Sequence, residues 1–353
     1  MISTEIASGA MLSNPTANQG NIDIQTRSLN LANADITAST SGQGNAGRIN
    51  IQSKDRISLD RSTISTAVNT LDTIGNGGNI TIETALLNLS NQSEISSSTS
   101  GQGNSGRIEI QNADRIRLNN STISTAINEG AITTEPSNIT LQTRSLNLSN
   151  NSNITASTAG QGDAGTIVIG GIDRNTNQRT SQSANQRTNS NSSADRVVLS
   201  DSVIATDVQR TGRGRGGNIQ IRSNALTLDD GSRISARTQG QGQAGDIDVF
   251  AAIVSLSNGS RLLTNTSSDR NAGNITLTVK DWITIDGSQS GIFASTTRDS
   301  RGNGGFIQLN SNDIILDQQG QISAQSQGRG QAGRIQMQAT GDLTLNDRST
   351  IST

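Results

Sequence analysis

The chain has 353 residues, of which 30% are hydrophobic and 1% aromatic, and it contains no Tyr, His or Cys. Globular cores are normally built around aromatic rings and Leu clusters, so this composition argues against two or three ordinary domains. The formal net charge of -2 predicts no general attraction to nucleic acid or to anionic membranes, and the missing Cys excludes disulfides and thiol chemistry.

The N-terminal segment, MISTEIASGAMLSNPTANQG, has neither the basic start nor the apolar stretch of a signal peptide. A membrane-spanning helix needs about 18 or more consecutive apolar residues, and no such run occurs in the sequence. The sequence therefore predicts no membrane insertion. The chain opens with MISTEI and closes with STIST, two similar stretches of the repeat described next, and we expect the natural protein to continue beyond them.

A glycine-rich segment recurs along the chain, first as GQGNAGRINIQ at 42–52 and in similar form from 101, 160, 240 and 328. The first Ile after each glycine-rich turn defines a column whose members lie 27 to 32 residues apart, except for one spacing of 52. The column consists of Ile22, Ile49, Ile80, Ile108, Ile139, Ile167, Ile219, Ile247, Ile275, Ile307 and Ile335. Such a period predicts a solenoid, in which each unit buries its apolar face only by stacking on its neighbours.

Each unit contains three short runs in which apolar and polar residues alternate, as residues 49–66 illustrate. The runs INI, ISL and IST place Ile or Leu on one side, which is typical of half-buried strands. Triplets such as DRS and NNS separate the second run from the third, and their Asp and Asn accept left-handed turn conformations. The sequence predicts an all-β fold, a single parallel β-helix of about 11 coils of about 28 residues with three short strands per coil, in one continuous domain over residues 1–353.

The predicted interior is a narrow channel filled by stacked Ile and Leu. We expect Ala38, Ala156 and Ala236 to fill its narrower corners. A channel of this width has little room for large rings, which explains the low aromatic content.

The recurring spelling G-x-G-x-x-G matches the dinucleotide-binding fingerprint. That fingerprint requires a helix directly after the last Gly, because the helix N-terminus holds the phosphates. The segment that follows here, RINIQ, alternates like a strand, so we expect no nucleotide and no other cofactor. The glycines are instead expected to permit a positive φ at a coil corner.

The repeat pattern breaks once, where residues 170–194 form a low-complexity segment rich in Asn, Ser, Gln and Thr. We interpret this segment as a loop insertion, either merely tolerated or used for binding. A second departure is the turn TGRGRGGN, which gathers Arg210, Arg213 and Arg215 near one corner. These arginines could bind a carboxylate or sulfate of an acidic polysaccharide, or they could be solvated turn residues.

The few aromatic residues all lie between 250 and 306. Phe293 is expected at an inward Ile position and therefore in the core. Phe250, Trp282 and Phe306 are expected at outward or corner positions. There they could stack against a sugar ring or pack beneath a loop.

Outward hydroxyl residues recur in the third run of each unit. They are Thr37, Ser65, Ser96, Ser124, Thr155 and Ser235, with Ala205 interrupting the row. We expect these hydroxyls to form ladders that satisfy one another between strands. Ice binding by a flat hydroxyl array is the alternative, and the mixture of Ser and Thr argues against it.

Tandem units such as GNITI and LNLSNQSEISSSTSGQGNSGRI resemble the repeat region of filamentous-haemagglutinin-like exoproteins exported by two-partner secretion, especially large cyanobacterial members. The resemblance covers nearly all of the chain and is one of repeat texture. It implies a right-handed parallel β-helix, secreted or displayed at the bacterial cell surface and exported by an outer-membrane barrel transporter. It also implies adhesion, with glycans or proteins of a host or neighbouring cell as partners. The family's N-terminal secretion module is not recognisable in this chain, so the transporter would act through a module outside it.

A β-helix can also be a polysaccharide lyase or hydrolase, which needs clustered carboxylates to bind calcium or to act as acid and base. Asp55, Asp114, Asp195 and Asp281 each stand two residues before an inward position of the second run. Asp55 and Asp114 lie two coils apart with Ala85 between them, so corner capping explains these residues better than a shared ion. We expect no catalytic, cofactor or metal site. The sequence favours a structural and adhesive shaft without catalysis, and the alternative is a polysaccharide-binding or polysaccharide-cleaving protein.

Overall fold

The structure, a computed structural model of the chain, describes residues 2–3, 20–172 and 192–353. Over these residues the chain is all-β and forms a parallel solenoid of about eleven coils, so the predicted fold class is confirmed. Residues 173–191, which make up most of the predicted loop insertion at 170–194, lie outside the described residues. The described part contains no helix that is long and apolar enough to cross a membrane.

Most coils contain one long strand and one short strand, numbered in chain order. The long strands are β2 (Ile22–Ala32), β4 (Ile49–Asp60), β6 (Ile80–Ser90), β8 (Ile108–Asn119), β10 (Ile139–Ser149), β15 (Ile219–Asp229), β17 (Ile247–Leu256) and β19 (Ile275–Asp286). Three coils have a split long strand, in the pairs β12 (Ile167–Gly170) and β13 (Ala194–Ser200), β21 (Phe306–Ser311) and β22 (Asp313–Asp317), and β24 (Arg334–Ala339) and β25 (Leu343–Leu345). The short strands are β1 (Ile2–Ser3), β3 (Asp35–Thr37), β5 (Thr63–Ser65), β7 (Glu94–Ser96), β9 (Thr122–Ser124), β11 (Asn153–Thr155), β14 (Val203–Ala205), β16 (Arg233–Ser235), β18 (Arg261–Leu263), β20 (Gly291–Phe293), β23 (Gln321–Ser323) and β26 (Thr350–Ser352). The long strands stack into a 14-stranded sheet and the short strands into a 12-stranded sheet, both parallel.

The first two predicted runs of most coils are joined in one long strand instead of being separated by a turn. Near the middle of β4, the register with β6 shifts between Ser53 and Arg56. Such an irregularity bends a strand while the flanking residues keep their ladder hydrogen bonds. Most coils therefore have two strands, where the sequence predicted three. A third row of single parallel bridges follows the short strands and includes the pair Thr40 and Val68.

The interior consists of stacked aliphatic columns, as predicted. In the column that runs from Ile22 to Ile335, each Ile pairs in register with the next, for instance Ile49 with Ile80 and Ile80 with Ile108. Away from its two ends, the side chains of this column are at most 1% exposed. The predicted small corner residues are also buried, namely Ala38, Ala156 and Ala236. Each coil thus gains its apolar burial from the coils on either side of it.

The recurring glycines have two different structural roles. The second glycine of the GQG triplet has a positive φ, 139° at Gly103, as predicted for a coil corner. The last glycine of the segment is needed for another reason, because a Cβ at Gly106 would overlap the carbonyl oxygen of Gly78 in the preceding coil. The prediction of a positive φ therefore holds for the first of these two positions, and close backbone stacking accounts for the second.

The corner between the long and short strands has the predicted left-handed conformation. At this corner φ is 55° at Asn91, 66° at Gln92 and 48° at Asn120. Asn tolerates this region better than most residues because its short polar side chain can hydrogen-bond locally. The Asn and Asp of the triplets thus turn the chain once per coil.

Asparagine side chains link successive coils at the corner before each long strand, a feature that the sequence analysis missed. Oδ1 of Asn79 accepts the N–H of Arg107 at 3.0 Å, and Oδ1 of Asn138 accepts the N–H of Thr166 at 2.9 Å. The same ladder includes Asn21, Asn218, Asp246 and Asn274. A second ladder within the glycine-rich turns includes Asn45, Asn76, Asn104, Asp163, Asn271 and Asn303. These bonds satisfy backbone donors that the sheets leave without partners.

The two residues that flank the break in the repeat lie next to each other at the 14-stranded sheet. β12 pairs with the first half of β10, and β13 pairs with its second half. The N–H of Gly171 donates to the carbonyl oxygen of Ser192 at 2.7 Å. The break therefore falls at the bend of a long strand and leaves the stacking of the coils intact.

Candidate functional site

The three predicted arginines lie together at one turn, between β14 and β15. Arg210, Arg213 and Arg215 are all exposed. Their backbone is held in place, since Arg213 forms a parallel bridge with Gln161 and the N–H of Arg215 donates to Oδ1 of Asp163 at 2.7 Å. Among the described residues, no acidic side chain forms an ion pair with any of the three. Their positive charge faces solvent, which fits both a site for carboxylate or sulfate groups and a solvated corner.

Two of the predicted aromatic residues lie on adjacent coils, on the outer face of the 14-stranded sheet. Phe250 in β17 is 39% exposed and Trp282 in β19 is 43% exposed. The guanidinium carbon of Arg222, one coil before Phe250, lies 4.3 Å from the centre of the Phe250 ring, a cation–π contact. Ile253 pairs in register with Trp282. Phe250, Ile253 and Trp282 together form what we call the aromatic patch.

The aromatic patch interrupts a face that is otherwise largely polar. Equivalent outward positions in earlier coils hold the polar residues Gln52, Arg56, Glu83, Arg115, Ser145 and Arg196, and the apolar residues Leu86 and Ala225. An exposed apolar group within polar surroundings is typical of a binding surface. The aromatic patch therefore differs in chemistry from the rest of the outer face of this sheet.

The two remaining aromatic residues lie elsewhere. Phe306 is half-buried at the corner where β21 begins, with the guanidinium carbon of Arg334 at 5.5 Å from its ring centre. It is at a corner position, as predicted, and does not join the aromatic patch. The prediction that Phe293 is a core residue is wrong. Ile292 occupies the inward position of that strand, so Phe293 points outward and its ring lies over Gly291.

The four carboxylates considered as a catalytic or calcium-binding set do not come together. The set comprises Asp55, Asp114, Asp195 and Asp281. Asp55 forms an ion pair with Arg27 of the preceding coil at 2.7 Å, and Asp114 forms one with Arg144 of the following coil at 3.2 Å. Over the residues that the structure describes, no group of three or more His, Cys, Asp or Glu is placed to hold a metal ion. Pairing between coils thus accounts for two of these carboxylates, where the sequence predicted corner capping.

A groove runs lengthwise along the solenoid, next to the short strands. Alternate outward side chains of a flat strand stand about 6.5 Å apart. Here Oγ1 of Thr37 donates to Oγ of Ser39 at 3.0 Å, and Oγ of Ser96 donates to Oγ of Ser98 at 3.2 Å. The backbone must therefore bend so that its outer side is concave. We call this concave surface, between the row that begins with Thr37 and the row that begins with Ser39, the hydroxyl groove.

Hydroxyl groups in the two rows of the hydroxyl groove bond to one another. The first row is the predicted series Thr37, Ser65, Ser96, Ser124, Thr155, Ala205 and Ser235, and the second is Ser39, Ala67, Ser98, Ala126, Ser157, Asp207 and Arg237. Between coils, Oγ of Ser39 lies 3.0 Å from Oγ of Ser65, and Oγ of Ser98 lies 2.9 Å from Oγ of Ser124. The predicted bonding of hydroxyl groups between strands is confirmed, but the bonds run diagonally between the two rows and not along the predicted row.

A largely buried ion pair changes the hydroxyl groove in the coil of β14, directly after the coil of β11. The Asp207 carboxylate accepts hydrogen bonds from the backbone N–H and the Nε of Arg237, both at 3.0 Å, and from the hydroxyl of Ser235. Asp207 is only 7% exposed. Further along the first row, Leu263 and Phe293 replace the hydroxyl residues. The part lined by hydroxyl groups therefore extends from the coil of Thr37 to that of Ser157.

The hydroxyl groove widens into a cavity of about 270 Å³ that spans three coils. It is lined by Ala67, Val68, Asn69, Glu94, Ser96, Ser98, Ser100, Thr122, Ser124 and Asn128. Glu94 is the only charged side chain in this lining. The cavity is thus polar and open along the direction of the groove.

Sequence reasoning missed the hydroxyl groove and its cavity. The hydroxyl column was recognised, but the second row appeared to be an ordinary continuation of the chain. A signal was present, because Thr37, Ser39 and Ser41 continue the polar alternation beyond the last inward Ile of the unit. Only the backbone bend turns that alternation into a concave surface.

No protein-family model matches the sequence, and no similar protein was found among curated proteins or solved structures. The resemblance to filamentous-haemagglutinin-like exoproteins therefore stays an expectation based on repeat texture.

Proposed function

We propose that the chain is a structural and adhesive shaft of a secreted or surface-exposed bacterial exoprotein, without catalytic activity. The supporting observation is the continuous stacking of inward aliphatic residues, from coil to coil, over the described solenoid. Each coil advances the solenoid by about 4.8 Å, so eleven coils make a rod on the order of 50 Å long. Such a rod holds surface groups at fixed spacing and leaves its exterior free for attachment.

The proposal includes a route of export and a class of partner. The repeat texture supports export by an outer-membrane two-partner-secretion transporter and display at the cell surface. Glycans or proteins of a host or neighbouring cell are the proposed adhesion partners. We propose no nucleic-acid partner, because the net charge is -2 and the basic residues are interspersed with acidic ones.

Cell attachment tests the adhesive role. Fluorescent beads coated with the folded chain should attach to layers of bacterial or host cells more than beads coated with the urea-unfolded chain. Equal attachment of the two bead types would contradict adhesion by the folded shaft. A reducing-sugar assay on a panel of polysaccharides tests the second part of the proposal, since release of new reducing ends would contradict a role without catalysis.

Polysaccharide binding at the aromatic patch is a second candidate function. Exposed aromatic rings on an otherwise polar face are suited to stack against the apolar faces of sugar rings, and Arg222 adds a positive charge beside them. Affinity electrophoresis in gels that contain a polysaccharide tests this candidate. Retardation should be lost in Trp282→Ala and kept in Phe306→Ala, the matched aromatic control. Equal retardation of both variants would exclude the patch as the binding surface.

A further inference from the structure

We propose that the hydroxyl groove binds a neutral, extended polysaccharide at the cavity beside Glu94, with the sugar chain parallel to the solenoid axis. This inference deepens the adhesive role proposed above by naming a ligand class and a site. It concerns the 12-stranded sheet and is independent of the aromatic patch, which lies on the other sheet.

The shape of the cavity fits a segment of a linear polymer. Its volume of about 270 Å³ is just below the usual range of ligand-binding pockets. The paired hydroxyl groups continue on both sides of it, at Thr37 and Ser39 and at Thr155 and Ser157. Successive coils repeat every 4.8 Å or so, which is close to the advance of one sugar unit in an extended chain. In an extended β-1,4-linked chain alternate units are turned over, so equivalent hydroxyl groups would face every second coil. The second row has the same two-coil period, because Ser and Ala alternate in it from Ser39 to Ser157. A compact small molecule would use only one coil of this periodic lining.

The hydrogen-bonding groups of the cavity call for a ligand that is rich in donors. The amide nitrogen of Asn69 donates one hydrogen bond to Ser41, and that of Asn128 donates one to Ser100 at 2.9 Å, so each amide keeps its oxygen and one N–H for a ligand. The Glu94 carboxylate lines the same cavity and, when ionised, can only accept hydrogen bonds. The hydroxyls of the groove bond to each other and keep spare acceptor lone pairs. Sugar hydroxyl groups supply the matching donors.

The charge of the cavity selects against anionic polymers. Glu94 is the only charged residue in the lining, and it is negative. Nucleic acids and polyuronates would bring like charge to this carboxylate without supplying enough donors to compensate. The neutral sugar chain is therefore the occupant that the lining favours.

The cavity lies where it does because of small residues in the second row. Ala67 and Ala126 flank Ser98 in that row, and the small side chains of Ala67 and Ser98 line the cavity. At later coils the same row contains the longer side chains of Arg237 and Gln325. The second row therefore accepts both small and long side chains. An Arg introduced at the cavity and an Arg introduced elsewhere in the same row provide a matched pair of variants.

The test measures binding of cellohexaose by isothermal titration calorimetry to the full chain and to three variants. Ala67→Arg places in the cavity the side chain that position 237 accommodates naturally. Gln325→Arg introduces the same side chain in the same row, far from the cavity, and serves as the control. Glu94→Gln removes the negative charge while keeping the size of the side chain. Far-UV circular dichroism and urea denaturation establish that each variant is folded.

We expect cellohexaose to bind the unmodified chain in the millimolar range and to bind better than hexagalacturonate. Ala67→Arg should weaken cellohexaose binding at least tenfold, whereas Gln325→Arg should leave it unchanged. Glu94→Gln should reduce the preference for cellohexaose over hexagalacturonate. Absence of cellohexaose binding to the unmodified chain, unchanged binding to Ala67→Arg, or a preference for hexagalacturonate would overturn the proposal. If cell attachment by coated beads persists despite such a result, the shaft role stands and only the groove assignment fails.

Discussion

Replacing Ile234 with Ala tests whether the aliphatic columns hold the solenoid together. Ile234 is the central residue of β16, is 0% exposed, and pairs in register with Ile204 in the preceding coil and Leu262 in the following one. The substitution removes three carbon atoms, each worth about 0.8 kcal/mol when buried. It also leaves a cavity, which the two flanking backbone ladders prevent from collapsing fully. We expect the free energy of unfolding to fall by about 3–4 kcal/mol.

Equilibrium urea denaturation, followed by the β-sheet signal in far-UV circular dichroism, measures this change. Arg233→Ala is the matched control, because it alters the neighbouring residue of the same strand, whose side chain is exposed. Exposed substitutions of this kind usually change stability by less than about 0.5 kcal/mol. If Ile234→Ala were no more destabilising than Arg233→Ala, stacked columns would not be the source of stability.

Three further substitutions test polar features of the coils. Asp207→Ala should lower the free energy of unfolding by about 2 kcal/mol in urea denaturation, because it leaves the partly buried guanidinium of Arg237 without its carboxylate. Asn138→Ala should cost about 1 kcal/mol in the same assay, because the N–H of Thr166 loses its acceptor, and Asn138→Asp should restore stability. Burial, together with a neighbouring carboxylate, raises the pKa of Asp248, so its ionisation destabilises the fold above that pKa and has no effect well below its unfolded value. Asp248→Asn should therefore raise the melting temperature at neutral pH and leave it unchanged in strong acid, and an equal rise at both would contradict this account.

The interior of the solenoid could be predicted from the sequence because burial imposes a strict period on it. The Ile column was placed correctly at every coil, since a shift of one residue would turn each inward side chain to solvent. The junction of the first two runs could not be predicted, because a bend within a strand preserves the alternation on both sides of it. Phe293 was misplaced for a related reason. In the run GIF both Ile292 and Phe293 are apolar, so the alternation alone does not show which of the two side chains points inward.

On the exterior, the sequence predicted the exposure of single residues but not the surfaces that several residues form together. The exposure of Phe250 and Trp282 followed from their outward positions, and it is confirmed. The hydroxyl groove did not follow from such positions, because its concavity depends on a backbone bend that brings Thr37 and Ser39 together. The asparagine ladder depends on contacts between coils, although an Asn directly before the first Ile, as in Asn79, was visible in the sequence. Features formed by residues of different coils can be predicted only when the register between the coils is known. The sequence of a single repeat unit does not show that register.

The ion pair between Asp207 and Arg237 limits the length of sugar chain that the hydroxyl groove can hold. The part lined by hydroxyl groups spans five coils, from that of Thr37 to that of Thr155, and the next two coils carry Asp207 and Arg237 in the second row. Five coils at about 4.8 Å each correspond to roughly five sugar units, with one unit per coil. Calorimetric affinity for cello-oligosaccharides should therefore rise with length up to about the pentasaccharide and then level off. A continued rise to the octasaccharide would contradict a closed end at Arg237, and Arg237→Ala should move the plateau to longer chains.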